Sequence, residues 1–516
     1  PTGSLETDNG HVRLKTARIT LPIGERALVD SPLAADLEVD LSDVGILSQI
    51  FALPRLGGSI EGHIQVSGTL KAPLGMAKFS CDDISYQNIA IGNLSMLAEA
   101  DVQRVAIETL TIERGKDRAT GRGTINWMEK SFKDVHVELD VVDLNPYFKD
   151  VIPLFWQPSV IPKQVQGQLK GTIKLSGAFT KPEGKMNLHA QQVRIDGTSF
   201  GDADVDLKLS DDVVTVSSAV FQNLSDRLHI RGSINHRLKR LNDVDMLVEI
   251  SELSAYNSLW QQTNTPITGS LKGQLHASGD LMNPDAKAEL QVEQLRLNTI
   301  QIDSGFAKLK SANRLLTIES AEIKTGEGTL QIAGHIQRNV DDTEFDITLE
   351  NAAIIRQDTL LALERSTKCR LFRNGRIIFD DLALAGSAGR VSIDGILNPN
   401  GKSDLLITVA DLQSDGWIDM IAADRVRFQG LNARAKISGR SNAPHFAIEG
   451  SLDNLGSPNI PMAFSGQFKV EYGNRILKLH EFAWSGRKGQ QIHLTGALPI
   501  DPFHSKIFAP GQIALT

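Results

Sequence analysis

Hydrophobic and polar residues alternate along most of this chain with a period of two. In Gly167–Pro182, Leu169, Ile173 and Leu175 fall on one side of a strand, and Gln168, Lys170, Thr172 and Lys174 on the other. Val135, Val137, Leu139 and Val141 are set against His136, Glu138 and Asp140 in the same way. Val205, Leu207 and Leu209 stand against Asp206 and Lys208, and Phe345, Ile347 and Leu349 against Asp346 and Thr348. Such segments predict strands with one dry and one wet face, the habit of antiparallel sheets; buried parallel strands would run apolar continuously.

The first of these stretches recurs. Gly58–Pro73, Gly167–Pro182, Gly269–Pro284 and Gly430–Pro444 all carry Ser-Gly-x4-Pro, at Ser67-Gly68, Ser176-Gly177, Ser278-Gly279 and Ser438-Gly439. The Ser-Gly pair reads as the turn that stops each strand. The four glycines are 109, 102 and 160 residues apart. A second marker, a glycine at a strand edge (Gly123, Gly232, Gly334, Gly496), follows each of them by 55, 55, 55 and 57 residues. Two markers in phase predict a repeat array with a unit of roughly a hundred residues. The expected layout is a partial leading unit in 1–57, units at 58–166 and 167–268, a unit at 269–429 with an inserted partial unit marked by Gly395, and an incomplete unit at 430–516.

Each unit also carries an acid-Leu pair before a short helical pattern. Asp40-Leu41 leads into 42–51 and Asp143-Leu144 into Asn145-Pro146-Tyr147-Phe148, a cap with proline at the first helical position. There Phe148, Val151, Ile152 and Phe155 can share a face, and Pro153 kinks or ends the helix. Glu252-Leu253 leads into 254–262, and Asp411-Leu412 into 414–424. Trp156, Trp260 and Trp417 sit in or beside these helices, where aromatics usually pack; Trp127 is expected in a strand. At roughly 12 residues per strand and turn, the chain holds on the order of 40 strands. The class is all-β with a few short helices, an elongated repeat array.

Bulk composition narrows the function. Among 516 residues, hydrophobics make up 41% but aromatics only 5%, with 43 Gly and 19 Pro, which suits many short strands. The net charge of −8 is spread thinly, without a basic cluster or aromatic-interleaved stripe, so no nucleic-acid partner is expected. The two cysteines, Cys81 and Cys369, lie far apart and read as small buried side chains. No apolar run reaches the ~18–20 residues of a membrane span. The chain opens at Pro1 and both ends resemble its middle, so it reads as a fragment whose membrane anchor lies outside.

No catalytic or metal signature stands out. Paired His ligands, a nucleophile elbow, a phosphate loop and carboxylates clustered near His are all missing. Gly326-Glu327-Gly328 is a lone Gly-x-Gly and reads as a turn. The twelve His residues are scattered, with His63, His136 and His276 in or beside strands. The chain is not expected to be an enzyme, nor to hold a cofactor or metal.

The dry face must be covered by something. A packed core and an open trough give the same alternation. Two features favour the trough: large aromatics are scarce, and the repeats are not interrupted by capping sequence. The candidate lining comprises Ile60, Ile64, Val66, Val137, Leu139, Val141, Leu169, Ile173, Leu175, Val205, Leu207, Leu209, Leu271, Leu275, Phe345, Ile347 and Leu349.

Strands of the form Gly-x-Leu-x-Gly-x-Ile-x-Leu-Ser-Gly-x4-Pro, and strand pairs ending in acid-Leu at Gly123–Leu144 and Gly232–Leu253, resemble the AsmA-like superfamily and within it the TamB type. The resemblance covers nearly the whole chain and rests on a degenerate repeat. It implies a curved, taco-like antiparallel or mixed β-sheet trough with an apolar interior, in a periplasmic protein tethered to the inner membrane of a diderm bacterium. It implies bridge-like transport of phospholipid to the outer membrane, with acyl chains in the groove. A TamA-like outer-membrane barrel protein is the partner it suggests. The alternatives are a scaffold or assembly factor for outer-membrane proteins, and a structural or adhesive β-repeat protein with a closed core.

Overall fold

The computed structural model describes residues 3–7, 10–19, 30–45, 55–87, 89–151, 164–260, 267–297, 300–326, 328–339, 344–356, 359–413, 427–440, 443–457, 460–486, 489–501, 506–507 and 512–515. It divides into two units, residues 1–264 with 276–282, and residues 265–275 with 283–516. Both are built from strands, most of them 9 to 15 residues long. Every described pairing is antiparallel, which removes the mixed alternative.

In the first unit, thirteen strands from Leu33–Leu41 to Arg240–Ile250 pair each with the next in the chain. The Ser-Gly pair closes its strand as the sequence predicts: Leu56–Gly68 ends on the glycine, and the strands of the other three copies one residue after it. In the strand Val165–Ala178, Gly177 pairs with Pro182 across the hairpin, as Gly68 does with Pro73 and Gly439 with Pro444. The glycine is required for its backbone: φ is +95°, +91°, +89° and +91° at Gly68, Gly177, Gly279 and Gly439. A Cβ at Gly68 would lie 2.5 Å from the Ala72 carbonyl oxygen. The proline opposite offers no N–H to a ladder that is ending there.

Short helical segments lie at one end of the strands. After Val141 the chain forms a π-helical turn, Tyr147–Val151, and after Ile250 a 3-10 helix, Leu253–Trp260. The continuations of these helices expected at 46–51, 152–155 and 261–262, and the whole of the one at 414–424 with Trp417, lie outside the described residues. Each described helix is held by a buried carboxylate at the start of a preceding strand. Asp117 accepts from the Val142 amide at 2.6 Å and the Tyr147 hydroxyl at 3.0 Å. Asp226 accepts from the Ser251 amide at 2.8 Å and the Tyr256 hydroxyl at 2.8 Å. Burial and the neighbouring Asp117 push the Tyr147 phenol up to about 12, so it stays a donor at neutral pH. Trp127 is not in a strand. It lies in the turn after Asp117–Asn126, half-exposed, and donates its indole N–H to the Val102 carbonyl at 2.8 Å.

In the second unit, Glu344–Arg356 pairs on one side with two short strands, Thr359–Leu363 and Thr367–Phe372, both of which meet Ile377–Gly386. Hairpin pairing resumes from there to Gln491–Leu498.

Candidate functional site: the apolar sheet face

Residues directly opposite each other in paired strands share a face. Following them across the first unit gives one uninterrupted row: Leu41, Ile60, Cys81, Leu94, Ile112, Ala119, Leu139, Gly171, Leu188, Val205, Ala219, Ile230 and Met246. Thirteen strands contribute one residue each, and none is polar. Beside it, on the same face, runs Val39, Gly62, Phe79, Met96, Leu110, Gly121, Val137, Ile173, Met186, Leu207, Val216 and Gly232.

One residue along each strand, the opposite face gives Asp40, Glu61, Ser80, Ser95, Thr111, Thr120, Glu138, Thr172, Asn187, Asp206 and Ser218. Every member is polar. At about 4.8 Å between strands, the thirteen-strand row follows the sheet for about 58 Å.

Among the described residues no second layer of strands covers the apolar face. Sixteen of the seventeen candidate lining residues are half-buried, and only Val141 is fully buried. The described buried side chains form just two apolar clusters, one around Val141, Leu144 and Val165, the other around Phe428, Leu452 and Trp484.

The ladder brings most of the candidates together. Ile60, Leu139 and Val205 lie on the first row and Val137, Ile173 and Leu207 on the second, Ile64 is on the same face opposite Ala77, and Leu169 pairs with Val141. Phe345, Ile347 and Leu349 lie on the corresponding face of the second unit, Ile347 beside Cys369. Leu271 and Leu275 are half-buried on Ile267–Asp280. Sequence reasoning missed Met96, Leu110, Met186, Leu188 and Ile230. Their own alternation was the available signal, but only the register shows them on the same rows.

A second row crosses the other unit through Leu316, Ile336, Ile347, Cys369, Phe379, Gly395, Leu405, Ile437, Phe446, Tyr472, Leu477 and Leu498. Towards the last strands it becomes aromatic. Phe446 stacks on Tyr472 at 4.9 Å between centroids, and Phe482 lies 4.9 Å from Trp484.

Arg114, Asp117 and Asp226, at the helix end of the strands, share a face with the apolar rows, whereas the exposed ion pairs lie on the wet face. Lys170 pairs with Asp140 at 3.0 Å and Arg231 with Asp245 at 2.9 Å, both exposed and so worth little. His276 and Arg231 beside Asp245 hold its carboxyl below the usual range. Two hollows of about 850 and 650 Å³ are also on this side, furrows between Arg118, Glu138, Lys170 and Asp204 and between Arg122, His136, Lys174 and Lys208. Among the described residues no cluster of His, Cys, Asp or Glu is arranged to hold a metal, and no helix is long and apolar enough to cross a membrane.

An all-antiparallel ladder with one apolar face and short helices at its strand ends defines a β-repeat protein. Residues 92–341, a little under half of the chain, match the family model described as TamB, N-terminal domain, and the match supports a TamB-type, AsmA-like protein. That family comprises transport and assembly proteins of the periplasmic envelope rather than known enzymes. No curated protein and no solved structure matches the chain.

Proposed function

We propose that this chain carries phospholipid between the inner and outer membranes, its acyl chains lying on the apolar rows and its head groups kept at the wet edge of the sheet. The observation that carries this reading is the thirteen-residue row without a polar member, beside a row without an apolar one. Covering a methylene contributes about 0.8 kcal/mol, so ten methylenes on the face hold a chain by about 8 kcal/mol at most. Because successive strands present aliphatic residues, alanine or glycine, a chain moving from one strand to the next exchanges like contacts for like. No deep trap then stops it, and direction must come from whatever loads and unloads the ends. The seventeen candidate residues are the proposed lining. A tether in the inner membrane and a TamA-like barrel in the outer one are the proposed partners.

Leu139→Arg and Ile173→Arg test the reading. A guanidinium at either half-buried position reaches water along its stem, so the fold stays while a charge stands in the path. Capture of photoreactive phospholipid should fall at least ten-fold, with hydrogen-exchange protection of Val165–Ala178 unchanged. Loss of that protection, as a closed core requires, or a wild-type chain that captures no acyl chain, would sink the proposal.

A further inference from the structure

Trp484 stands on the strand Ile476–Gly486, opposite Gly466 and Ile492, and is only 6% exposed. Its indole N–H finds no acceptor among the described residues. Trp127, far more exposed, does find one, the Val102 carbonyl. A buried donor left without a partner is a cost that folds avoid, and it calls for a reason. Gly466 makes room for the indole: a Cβ there would lie 2.9 Å from the Trp484 Cγ. Phe428 and Leu452 are buried against Trp484. Phe464, Phe468, Phe482 and Ile492 pack on the cluster and stay half-buried.

An indole N–H can only donate, so its missing partner is an acceptor. The hydrophobic side chains packed around it offer no acceptor. A phosphate or carboxylate there would be a buried charge with nothing to balance it, whereas a neutral carbonyl needs only the one donor. The aromatic walls suit the apolar body on which that carbonyl would be carried. We infer that the Trp484 cluster is a holding site for the ester end of an acyl chain, with the indole N–H donating to the ester carbonyl and the chain lying over Phe464, Phe468 and Phe482. The inference rests on the acyl-chain reading and adds to it a place where the lipid pauses.

The test uses the full chain with photoreactive benzoylphenylalanine at Phe464 or, separately, at Ile173, loaded from vesicles of radiolabelled dioleoyl phosphatidylethanolamine. Trp484→Phe keeps an aromatic ring and removes the donor. Capture at position 464 should fall about five-fold, the weight of one hydrogen bond, while capture at 173 stays the same. Unlabelled dioleoyl phosphatidylethanolamine should compete at 464 well ahead of oleate. Oleate competing equally would overturn the preference for the neutral ester. Capture at 173 with none at 464, or with capture at 464 indifferent to Trp484→Phe, overturns the site and leaves the transport reading standing. Absence of capture at both positions overturns both. In unsubstituted protein labelled with nitrogen-15 in tryptophan, the one indole N–H resonance absent from Trp484→Phe should move downfield on phospholipid loading and stay fixed with hexadecane, which has no acceptor. This readout holds even if the variant is less stable, and a resonance that ignores phospholipid also overturns the site.

Discussion

The apolar face of the first unit and the last strands of the second share a backbone plan and differ in what fills it. Across the thirteen strands of the first unit the two rows include Gly62, Gly121, Gly171, Gly232, Ala119 and Ala219, and their one aromatic is Phe79, whose ring lies over Gly62. In the last strands the glycines are roofed instead. Phe468 covers Gly450 and Trp484 covers Gly466, with Phe446, Phe464, Tyr472 and Phe482 around them. The same alternation therefore yields an open floor in one place and a local packed core in the other. Side-chain volume decides between them, because a ladder of glycine, alanine and aliphatics cannot close the space above itself.

The largest effect expected from this contrast is on local stability. Leu452→Ala opens a cavity inside the aromatic cluster and should cost about 3 kcal/mol there. Ile173→Ala, on the open floor, should cost less than about 1 kcal/mol, since little packs above it. In a repeat array stability is local, so amide hydrogen exchange is the right measure, in Ile460–Gly473 for the first variant and in Val165–Ala178 for the second. Equal losses would mean that the floor of the first unit is covered after all.

Next in size is the hold on the helices. Asp117 and Asp226 are both 8% exposed and bind the short helix thirty residues ahead through its tyrosine. At the corresponding place in the second unit, 102 residues beyond Asp226, stands Gly328, with no carboxylate to offer. Asp117→Ala leaves the Val142 amide and Tyr147 hydroxyl without their acceptor and should loosen 142–151 by about 2 kcal/mol. Tyr147→Phe should cost less, about 1 kcal/mol, because the backbone bond survives. Protection of the Tyr147 amide against exchange ranks the two, and the reverse order would show that the hydroxyl, not the amide, is the main anchor.

The alternation in Gly167–Pro182 was readable in the sequence because burial on one face imposes it residue by residue. The glycine markers were readable too, and all four Ser-Gly glycines share one backbone conformation. Their place was readable as well, since each glycine is the last residue of its strand or the one before it; its pairing with the proline was not. The rows themselves were not legible. They depend on register, and bulges such as the one between Val216 and Ala219 shift it in ways no local pattern announces. The carboxylate–tyrosine hold was missed although Asp117–Tyr147 and Asp226–Tyr256 have the same spacing. The aromatic end was missed because an overall shortage of aromatics hid their concentration between Phe428 and Trp484.

The smallest expected effect concerns the two thiols, which report on the two faces separately. Cys81 lies on the first unit's row between Ile60 and Leu94, and Cys369 on the second unit's row between Ile347 and Phe379. Burial, and then the nearby Asp82, raises the Cys81 thiol; burial, and then Asp380, raises Cys369. Only the thiolate attacks an alkylating agent. A raised pKa leaves less thiolate at any pH below it, so alkylation by iodoacetamide near pH 8 should be several-fold slower than for a free thiol, and should climb only above the ordinary thiol range. Cys81 sits over the floor where acyl chains are proposed to lie. Loading with phospholipid should slow it further, about two- to three-fold, by mass-resolved counting of the modified peptide. Slowing at Cys369 without slowing at Cys81 would place the guest on the second unit alone and remove the open floor from the transport path.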